Sequence, residues 1–586
     1  MTPLSPAATR PSPLRPTPSS WLFPFFCLCV AATFVIVPMF FLGNASGHDF
    51  DFHVASWMDV AGQWREGIVY PRWAEWANWG FGEPRFIFYP PASWIAGAAL
   101  GSALPWKMAP GALIWLSLIL AGMSMWILAR EWLPPPQAVT AALLYSVNPY
   151  NLVIVYYRSD FAELLAGALF PLLIWAAVRS MEGEPRGALS LAVIFAAIWL
   201  TNAPAAVIAT YSLVLMILAG CVARKNLRPL ILGGSAIAGG FALAAFYILP
   251  AAWERRWIQI AQAVAGEVHP SRNFLFTRMN DPDFVLFNWK VSWIAVAVIV
   301  VTVIGAIFAA RSRREFRTLW WILISVAVAS VFLMLRPSLW LWNALPEFQF
   351  IQFPWRWLQV LAVVLAFFLA VAIFSVRSRH LSWAITAVVF VAVSATAAMI
   401  VHDAYWDDQD VPAIATAISS HRGYEGTDEY APIGLTRLDL PGNPDDTERP
   451  AGISSAPAPR FEKLAPSNTL APAAKINLRV GQWSAEHKSF TEESTTPVTL
   501  ALRLVDYPSW KIQVDASRAG IITRPATFQV LVPLAPGDHR VEIHFRRTWD
   551  RSVGDAISGL AVATLLGFSW VFRRRRESAA TVAVDG

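Results

Sequence analysis

Long apolar runs recur along most of the chain, and short polar stretches separate them. The runs lie at residues 21–42, 86–104, 107–129, 137–156, 163–179, 187–202, 203–222, 229–250, 289–310, 318–336, 353–376, 381–401 and 553–572. A membrane-spanning helix needs about 17–25 predominantly apolar residues, and most of these runs are that long. The pattern predicts a polytopic α-helical membrane protein with about 12 spans.

Clusters of basic residues between the runs predict how the spans are oriented, because Lys and Arg concentrate on the cytoplasmic side. The clusters are Arg130, Arg179 with Arg186, Arg224 with Lys225 and Arg228, residues 311–314, Arg377 with Arg379, and residues 573–576. From residue 179 onward, alternate crossings keep every cluster inside. Between 86 and 179 an odd number of crossings must fit four runs, so we expect 86–104 to lie in the interface or re-enter.

The beginning of the chain is polar. Residues 1–20 are rich in Pro, Ser and Thr and are predicted to form a disordered cytoplasmic tail. For the apolar run at 21–42, the alternative to a membrane span is a cleaved signal peptide. The apolar core of a signal peptide is about 7–15 residues long, shorter than this run. We therefore expect a retained first span and a transmembrane domain at 21–401.

Three polar regions are predicted to lie outside, at 43–85, 251–288 and 402–552. The last forms a soluble domain that becomes β-rich from about residue 472. There apolar residues alternate, at 498–504 and again at 541–545, and Gly537 and Asp538 predict a turn. Short strands between Pro and Gly residues are typical of a small β-sandwich. A final span at 553–572 tethers this domain, before a cytoplasmic tail at 573–586.

Composition supports this interpretation and excludes other classes. The chain of 586 residues is 56% hydrophobic and 15% charged, against about 25% charged in soluble proteins. The net charge of +6 comes from the clusters that set topology, so it does not indicate nucleic-acid binding. Cys27, Cys29 and Cys221 all lie in or beside apolar runs, which argues against disulfides and Cys-based metal sites. The sequence also lacks a phosphate-cradling glycine loop, a nucleophile elbow and an HExxH motif.

The first outer loop opens with two imidazoles and two carboxylates, at His48, Asp49, Asp51 and His53. Such a group is able to bind a divalent cation or to supply a general base. The simpler interpretation is that Asp49 or Asp51 caps a helix over 52–66. Capping accounts for one aspartate and for neither histidine, so we favour a functional role and leave metal dependence open.

Further candidates lie where spans meet the outer interface. Arg72 and Tyr89 stand among Gly, Pro and aromatic residues, a composition that suits either sugar stacking or an aromatic belt. Arg158 is placed to bind a phosphate, or to pair with Asp160 or Glu163. Arg356, among aromatic residues, is either a second phosphate ligand or a snorkelling arginine.

Several stretches together resemble the bacterial membrane proteins named "6-pyruvoyl-tetrahydropterin synthase-related". They are residues 47–53, 70–73, 80–82, 88–91, 157–163 and 352–356. Nothing in the sequence indicates a pterin site. Residues 507–511, Tyr-Pro-Ser-Trp-Lys, are similar to the C-terminal domain of large membrane proteins implicated in glycosylating cell-envelope polymers. The resemblance covers nearly the whole chain.

Both groups look like members of the GT-C superfamily of glycosyltransferases. The resemblance implies a GT-C-like fold, a polyprenyl-phosphate-linked sugar donor, an envelope glycan, lipid or protein acceptor, and a site on the outer face of the bacterial inner membrane. It implies an acidic motif in the first outer loop, which Asp49 and Asp51 match as catalytic candidates. The candidate substrate-binding residues are His48, His53, Arg72, Tyr89, Arg158, Glu163 and Arg356.

Two other classes remain as alternatives. A non-catalytic protein that binds lipid-linked glycans would keep the basic and aromatic residues without needing Asp49. A transporter binds near the bilayer midplane through charged or broken spans. The interiors of these runs are nearly free of charge, which argues against transport.

Overall fold

The computed structural model describes residues 19–278, 280–312, 316–375, 379–441, 459–464, 477–525 and 527–584. Residues 1–18 of the predicted tail lie outside the described residues. The helices are α1 (Ser19–Leu42), α2 (Phe50–Arg65), α3 (Ala77–Gly80), α4 (Arg85–Phe88), α5 (Pro91–Ala103), α6 (Ala109–Ala129), α7 (Pro135–Ser146), α8 (Pro149–Val153), α9 (Phe161–Gly167), α10 (Phe170–Met181), α11 (Pro185–Trp199), α12 (Ala203–Arg224), α13 (Arg228–Leu243), α14 (Ala245–Glu254), α15 (Pro282–Ala309), α16 (Arg317–Leu333), α17 (Leu339–Ala344), α18 (Leu358–Ser375), α19 (Arg379–Asp403), α20 (Asp410–Ser419) and α21 (Trp549–Val584). The strands are β1 (Asn44–Ala45), β2 (Trp406–Asp407), β3 (Phe461–Leu464), β4 (Asn477–Trp483), β5 (His487–Ser494), β6 (Val498–Val505), β7 (Trp510–Val514), β8 (Ser517–Ala519), β9 (Ile522–Thr523), β10 (Gln529–Leu534) and β11 (Gly537–Phe545).

Apolar helices dominate the first two thirds of the chain. Within the described ranges, nine helices are long and apolar enough to cross a membrane, or up to 11 if two bent pairs each count as one span. These pairs are α13 with α14, bent by 75°, and α16 with α17, bent by 94°. The predicted fold class, a polytopic α-helical membrane protein with a β-rich C-terminal region, is confirmed. The count is close to the dozen spans expected from the sequence.

The run at 86–104 forms no span of its own. It contains α5, whose 13 residues extend about 20 Å, less than the hydrocarbon thickness of about 30 Å. α5 packs closely on α2, because a Cβ on Gly97 would lie 2.1 Å from the Trp57 ring. α11, over the predicted span 187–202, is also short at 15 residues.

The middle of the membrane domain is α18, and 89% of its best apolar window is buried inside the protein. The last span is buried to a much smaller extent. Only 11% of the window at Trp549–Val571 is buried, so α21 exposes most of its apolar surface to the lipid. α21 continues to Val584, so residues 573–584 of the predicted tail are helical.

The C-terminal region between α20 and α21 contains two antiparallel sheets. One has the strand order β3-β6-β10-β9 and the other β4-β5-β11-β7-β8. Both sheets bury alternate apolar residues in one core, among them Leu500 and Leu502 from β6 and Val541 and Ile543 from β11. We call this unit the β-domain.

The first loop after α1 folds beneath the β-domain and shares its core. Trp73 is fully buried and its ring lies 5.3 Å from that of Trp510 and 5.5 Å from that of Phe545. β1 pairs with β2, which joins this loop to the segment after α19. The loop is therefore held between the membrane helices and the β-domain.

Candidate functional site

The start of α2 decides between the capping and functional interpretations of the first loop. α2 begins at Phe50 with Asp49 at the N-cap, but the Asp49 side chain makes no capping hydrogen bond. Instead its carboxylate accepts a hydrogen bond from Arg158 at 2.5 Å. Asp49 is thus directed away from its own helix and toward another span.

The turn at 44–49 is fixed against the end of the span that contains Arg158. The Asp49 N–H donates to the Arg158 carbonyl at 2.8 Å. Ser159 has a left-handed backbone with φ of 53°, and its hydroxyl accepts from the Gly47 N–H at 3.0 Å and donates to the Ala45 carbonyl at 2.8 Å. Gly47 is required, because a Cβ there would lie 2.5 Å from the Tyr157 carbonyl oxygen.

Five side chains from three segments of the chain meet here and form what we call the charge cluster: Asp49, Arg158, Asp160, Glu163 and Arg356. Arg158 lies 3.4 Å from both Asp160 and Glu163. Arg356 lies 3.2 Å from Asp160 and 2.9 Å from Glu163. Three carboxylates therefore surround two guanidinium groups.

Glu163 is the innermost member of the charge cluster and is fully buried. Besides both arginines, it accepts hydrogen bonds from the Tyr150 hydroxyl and, at 2.7 Å, from Gln359 Nε2. It joins α8, α9 and α18 in one network. Its position suggests that it orients the two guanidinium groups rather than meeting a ligand.

Asp160 lies beside His53, and the His53 Nε2 is 3.6 Å from the Asp160 carboxylate. Burial alone would raise the pKa of Asp160, but the nearby His53 ring and the charges of Arg158 and Arg356 outweigh it and lower that pKa. Asp160 is therefore ionised at neutral pH. The sequence had suggested Asp160 solely as an ion-pair partner of Arg158.

Aromatic rings form the walls around the charge cluster. The His53 ring lies 5.8 Å from that of Tyr89 and 5.3 Å from that of Phe161. The Arg158 guanidinium lies 5.3 Å from the Trp355 ring centroid. Burial, followed by the charge of Asp160, raises the pKa of Tyr89, so Tyr89 keeps its proton.

Exposure is uneven within the charge cluster. The side chain of Asp49 is 34% exposed, whereas those of the other members are at most 5% exposed. A ligand that approaches the cluster meets Asp49 first. A phosphate that binds Arg158 would have to displace a carboxylate, because the described carboxylates already pair with it.

Three of the sequence candidates lie apart from the charge cluster. His48 is exposed at the rim, with its ring 5.1 Å from that of Phe287, and partial burial and the charge of Arg158 lower its pKa. Partial burial and the charges of Asp410 and Asp407 raise the pKa of Asp51 to about 6. Arg72 lines a separate cavity beneath the β-domain.

The loop residues considered for a metal do not come together. Asp49 binds Arg158, His53 faces Asp160, and Asp51 is influenced by the carboxylates at 407 and 410. Within the described ranges, the metal-ligating groups that come close enough for one ion are His487, Glu542 and His544 on the β-domain.

Sequence reasoning missed Tyr150 and Gln359 and underrated Asp160. Gln359 had a usable signal, since it is a polar residue inside a long apolar run, three positions after Arg356. Tyr150 had none, because a tyrosine near the end of a span also fits an interfacial belt.

The fold and the site together define a polytopic membrane protein with a buried ionic cluster at the ends of its spans. The family model described as the 6-pyruvoyl-tetrahydropterin synthase related domain, a membrane protein, matches residues 86–405. The chain belongs to this family, which confirms the resemblance drawn from its sequence.

Solved structures similar to the chain have low identity. ArnT from Cupriavidus metallidurans bound to undecaprenyl phosphate is 12% identical with a TM-score of 0.41, over 69% of this chain and 70% of that one. The arabinofuranosyltransferase AftD from mycobacteria is 16% identical with a TM-score of 0.42, over 66% of this chain and 27% of that one. The Archaeoglobus fulgidus oligosaccharyltransferase is 13% identical with a TM-score of 0.40, over 67% and 55%. No curated protein matches the chain. Likenesses this distant leave function to be argued from the site.

Proposed function

We propose that the protein moves a sugar from a polyprenyl-phosphate donor to a cell-envelope acceptor, on the outer face of the bacterial inner membrane. The observation that carries this proposal is the position of Asp49. It is the partly exposed member of an otherwise buried charge cluster, and Arg158 holds it at 2.5 Å. The partly exposed carboxylate and the buried guanidinium beside it supply the two groups that transfer from a phosphate donor requires.

The hydrogen bond between Asp49 and Arg158 would couple donor binding to catalysis. A donor phosphate that binds Arg158 replaces the Asp49 carboxylate and releases it. Asp49 then accepts the proton of the acceptor hydroxyl as that oxygen attacks the anomeric carbon. The bond from the anomeric carbon to the phosphate oxygen breaks, and polyprenyl phosphate leaves with the electron pair, its charge balanced by Arg158.

The remaining residues support this step. Glu163 and Asp160 hold the Arg158 and Arg356 guanidinium groups in place. Tyr89 and His53 line the approach and suit contact with sugar hydroxyls and ring faces. His48 lies at the rim beside Asp49, and Asp51 keeps a minor role.

The test is turnover of radiolabelled polyprenyl-phosphate sugars by the full chain in detergent, with envelope extract as acceptor. Asp49→Asn keeps the shape but removes the base, so we expect a loss of about 100- to 10,000-fold. Asp51→Asn is the matched comparison two residues along the same helix, and we expect a loss of less than about threefold. Equal activity of wild type and Asp49→Asn would refute the role of Asp49.

A second candidate is a non-catalytic protein that binds lipid-linked glycans. The observation that favours it is the pairing of both cluster arginines with carboxylates, which a purely structural network would also show. This function predicts donor binding by wild type and Asp49→Asn alike, with no sugar released from any donor.

A further inference from the structure

A cavity of about 400 Å³ lies where the β-domain meets α14 and α21. We call it the boundary cavity; its polar lining comprises Tyr70, Arg72, Glu486, Arg547, Arg551 and Asp555. The rings of Phe246 and Phe545 complete its walls. This volume is within the range of about 300–1,000 Å³ typical of small-molecule sites. The cavity is separate from the charge cluster and has no part in the proposed transfer reaction.

Two hydrogen-bond donors in the boundary cavity lack a partner among the residues that the structure describes. Arg72 Nη1 and the Tyr70 hydroxyl are both buried, and neither makes a hydrogen bond there. The Arg72 guanidinium lies 4.3 Å from the centroid of the Tyr70 ring, so the two donors are neighbours. Buried polar groups in proteins are nearly always satisfied, and an unmet pair is a reason to look for a ligand.

The other charges around the cavity are already paired. Arg551 donates to Glu254 through Nε at 2.7 Å and Nη2 at 2.8 Å. Arg547 forms an ion pair with Asp555. Among the described contacts, these pairs leave Arg72 as the guanidinium in need of an anion.

Glu486 does not meet that need. Its carboxylate accepts a hydrogen bond from the backbone N–H of Arg72 at 3.2 Å rather than from the guanidinium. Burial raises the pKa of Glu486, which favours its neutral form. Burial also lowers the pKa of Arg72, and the charges of Glu254 and Glu486 do not outweigh it.

The place of the cavity identifies the source of the anion. Phe246 lies at the bend between α13 and α14, and Arg551 and Asp555 lie in the first two turns of α21. Val553, Ile557 and Leu560 of α21 are exposed apolar residues on the lipid-facing span. A molecule whose apolar tail lay along this face of α21 would bring its polar end to the boundary cavity.

We propose that the boundary cavity binds the phosphate headgroup of an anionic membrane lipid. Arg72 Nη1 and the Tyr70 hydroxyl donate to phosphate oxygens, while the acyl chains lie against the exposed face of α21. Charge-assisted hydrogen bonds of this kind are stronger and shorter than neutral ones. The bound lipid would join the β-domain, the first loop and α21 at the membrane surface.

The experiment uses the full chain in nanodiscs and measures binding of fluorescent phosphatidic acid. Arg72→Gln should weaken binding about tenfold or more, since it removes the charged donor. Tyr70→Phe removes a single hydroxyl and should weaken it about threefold. Arg65→Gln, an exposed arginine nearby on α2, is the matched control and should bind like wild type.

The outcomes separate this proposal from its rivals. Asp49→Asn disables the proposed transfer but should leave lipid binding intact, so the two proposals fail independently. Wild-type affinity in both Arg72→Gln and Tyr70→Phe would overturn the lipid site. Displacement of the lipid by an equal concentration of glycerol 3-phosphate would mean a soluble phosphate ligand and would overturn the lipid assignment.

Discussion

The charge cluster and the boundary cavity both contain arginines in or next to the first loop, but the guanidinium groups have carboxylate partners in the cluster and, among the described residues, lack them at Arg72 in the cavity. In the cluster, Arg158 and Arg356 face Asp49, Asp160 and Glu163 at 2.5 to 3.4 Å. In the cavity, Arg72 lies over an aromatic ring with one nitrogen unpartnered. The protein itself completes the first arrangement, and a ligand is needed to complete the second.

The contrast has an energetic consequence. A buried ion pair costs desolvation that its partner offsets, so removing one partner leaves a charge without compensation. Substitutions in the charge cluster should therefore cost folding stability, and substitutions in the boundary cavity should cost binding. Three substitutions in the charge cluster test that division, and a fourth, at Asp51 beside the cluster, has the smallest expected effect.

The largest effect is expected from Arg158→Gln. The substitution leaves Arg356 as the one arginine of the charge cluster, facing three carboxylates that are buried or half-buried. Breaking such a network lowers the free energy of unfolding by about 3–5 kcal/mol. Arg72→Gln, the same change in the boundary cavity, removes an unmet donor and should alter stability by less than about 1 kcal/mol. The free energy of unfolding in mixed micelles, measured by titration with SDS, compares them. Equal destabilisation would contradict the division between the regions.

Glu163→Gln should have the next largest effect. The change leaves two arginines against Asp49 and Asp160, so the charges of the cluster become equal, but a fully buried acceptor of four side chains is altered. We expect a loss of about 1–3 kcal/mol in the same unfolding measurement. Glu267→Gln, at a partly exposed pair with Arg272, is the control and should change stability by less than about 0.5 kcal/mol. A loss from Glu163→Gln no greater than that of the control would show that Glu163 does not hold the network.

Asp49→Asn should be milder still. Its carboxylate is 34% exposed, and Arg158 retains Asp160 and Glu163 as partners. Ion pairs near the surface contribute about 0–1 kcal/mol, which sets the expected loss. A much larger loss would mean that Asp49 is a structural member of the cluster, and a loss of activity in that variant would then result from misfolding rather than from the missing base.

Much of this architecture follows from local sequence. The apolar runs predicted the spans, and the alternation at 498–504 matches β6. The odd number of crossings required between 86 and 179 left 86–104 without a span, which matches the short helix α5. Arg158 and Arg356 were singled out as phosphate ligands at the outer ends of spans, and Glu163 as an ion-pair partner of Arg158. Such inferences use information within about ten residues of each position.

The features that the sequence did not show depend on distant contacts. Arg158 meets Asp49 across 109 residues, and Arg356 meets Glu163 across 193. Arg72 was grouped with the same site, but Trp73 beside it is buried among rings of the β-domain, which draws Arg72 into the boundary cavity. Local patterns do not report which of two sites a loop residue joins.

The smallest effect concerns Asp51, which lies two residues from Asp49 and is influenced by the charges of two other aspartates. Partial burial, Asp410 and Asp407 raise its pKa to about 6. The folded state therefore holds the proton of Asp51 more tightly than the unfolded chain does, so this group lowers stability as pH rises from about 4 to about 6. Asp51→Asn, which cannot ionise, should remove that part of the pH dependence and stabilise the protein at pH 7 by less than about 1 kcal/mol, because the side chain is partly exposed. Unfolding measured at pH 4.5 and pH 7 in wild type and Asp51→Asn compares the change in stability between the two pH values, and an identical change in both proteins would mean that the pKa of Asp51 is not raised.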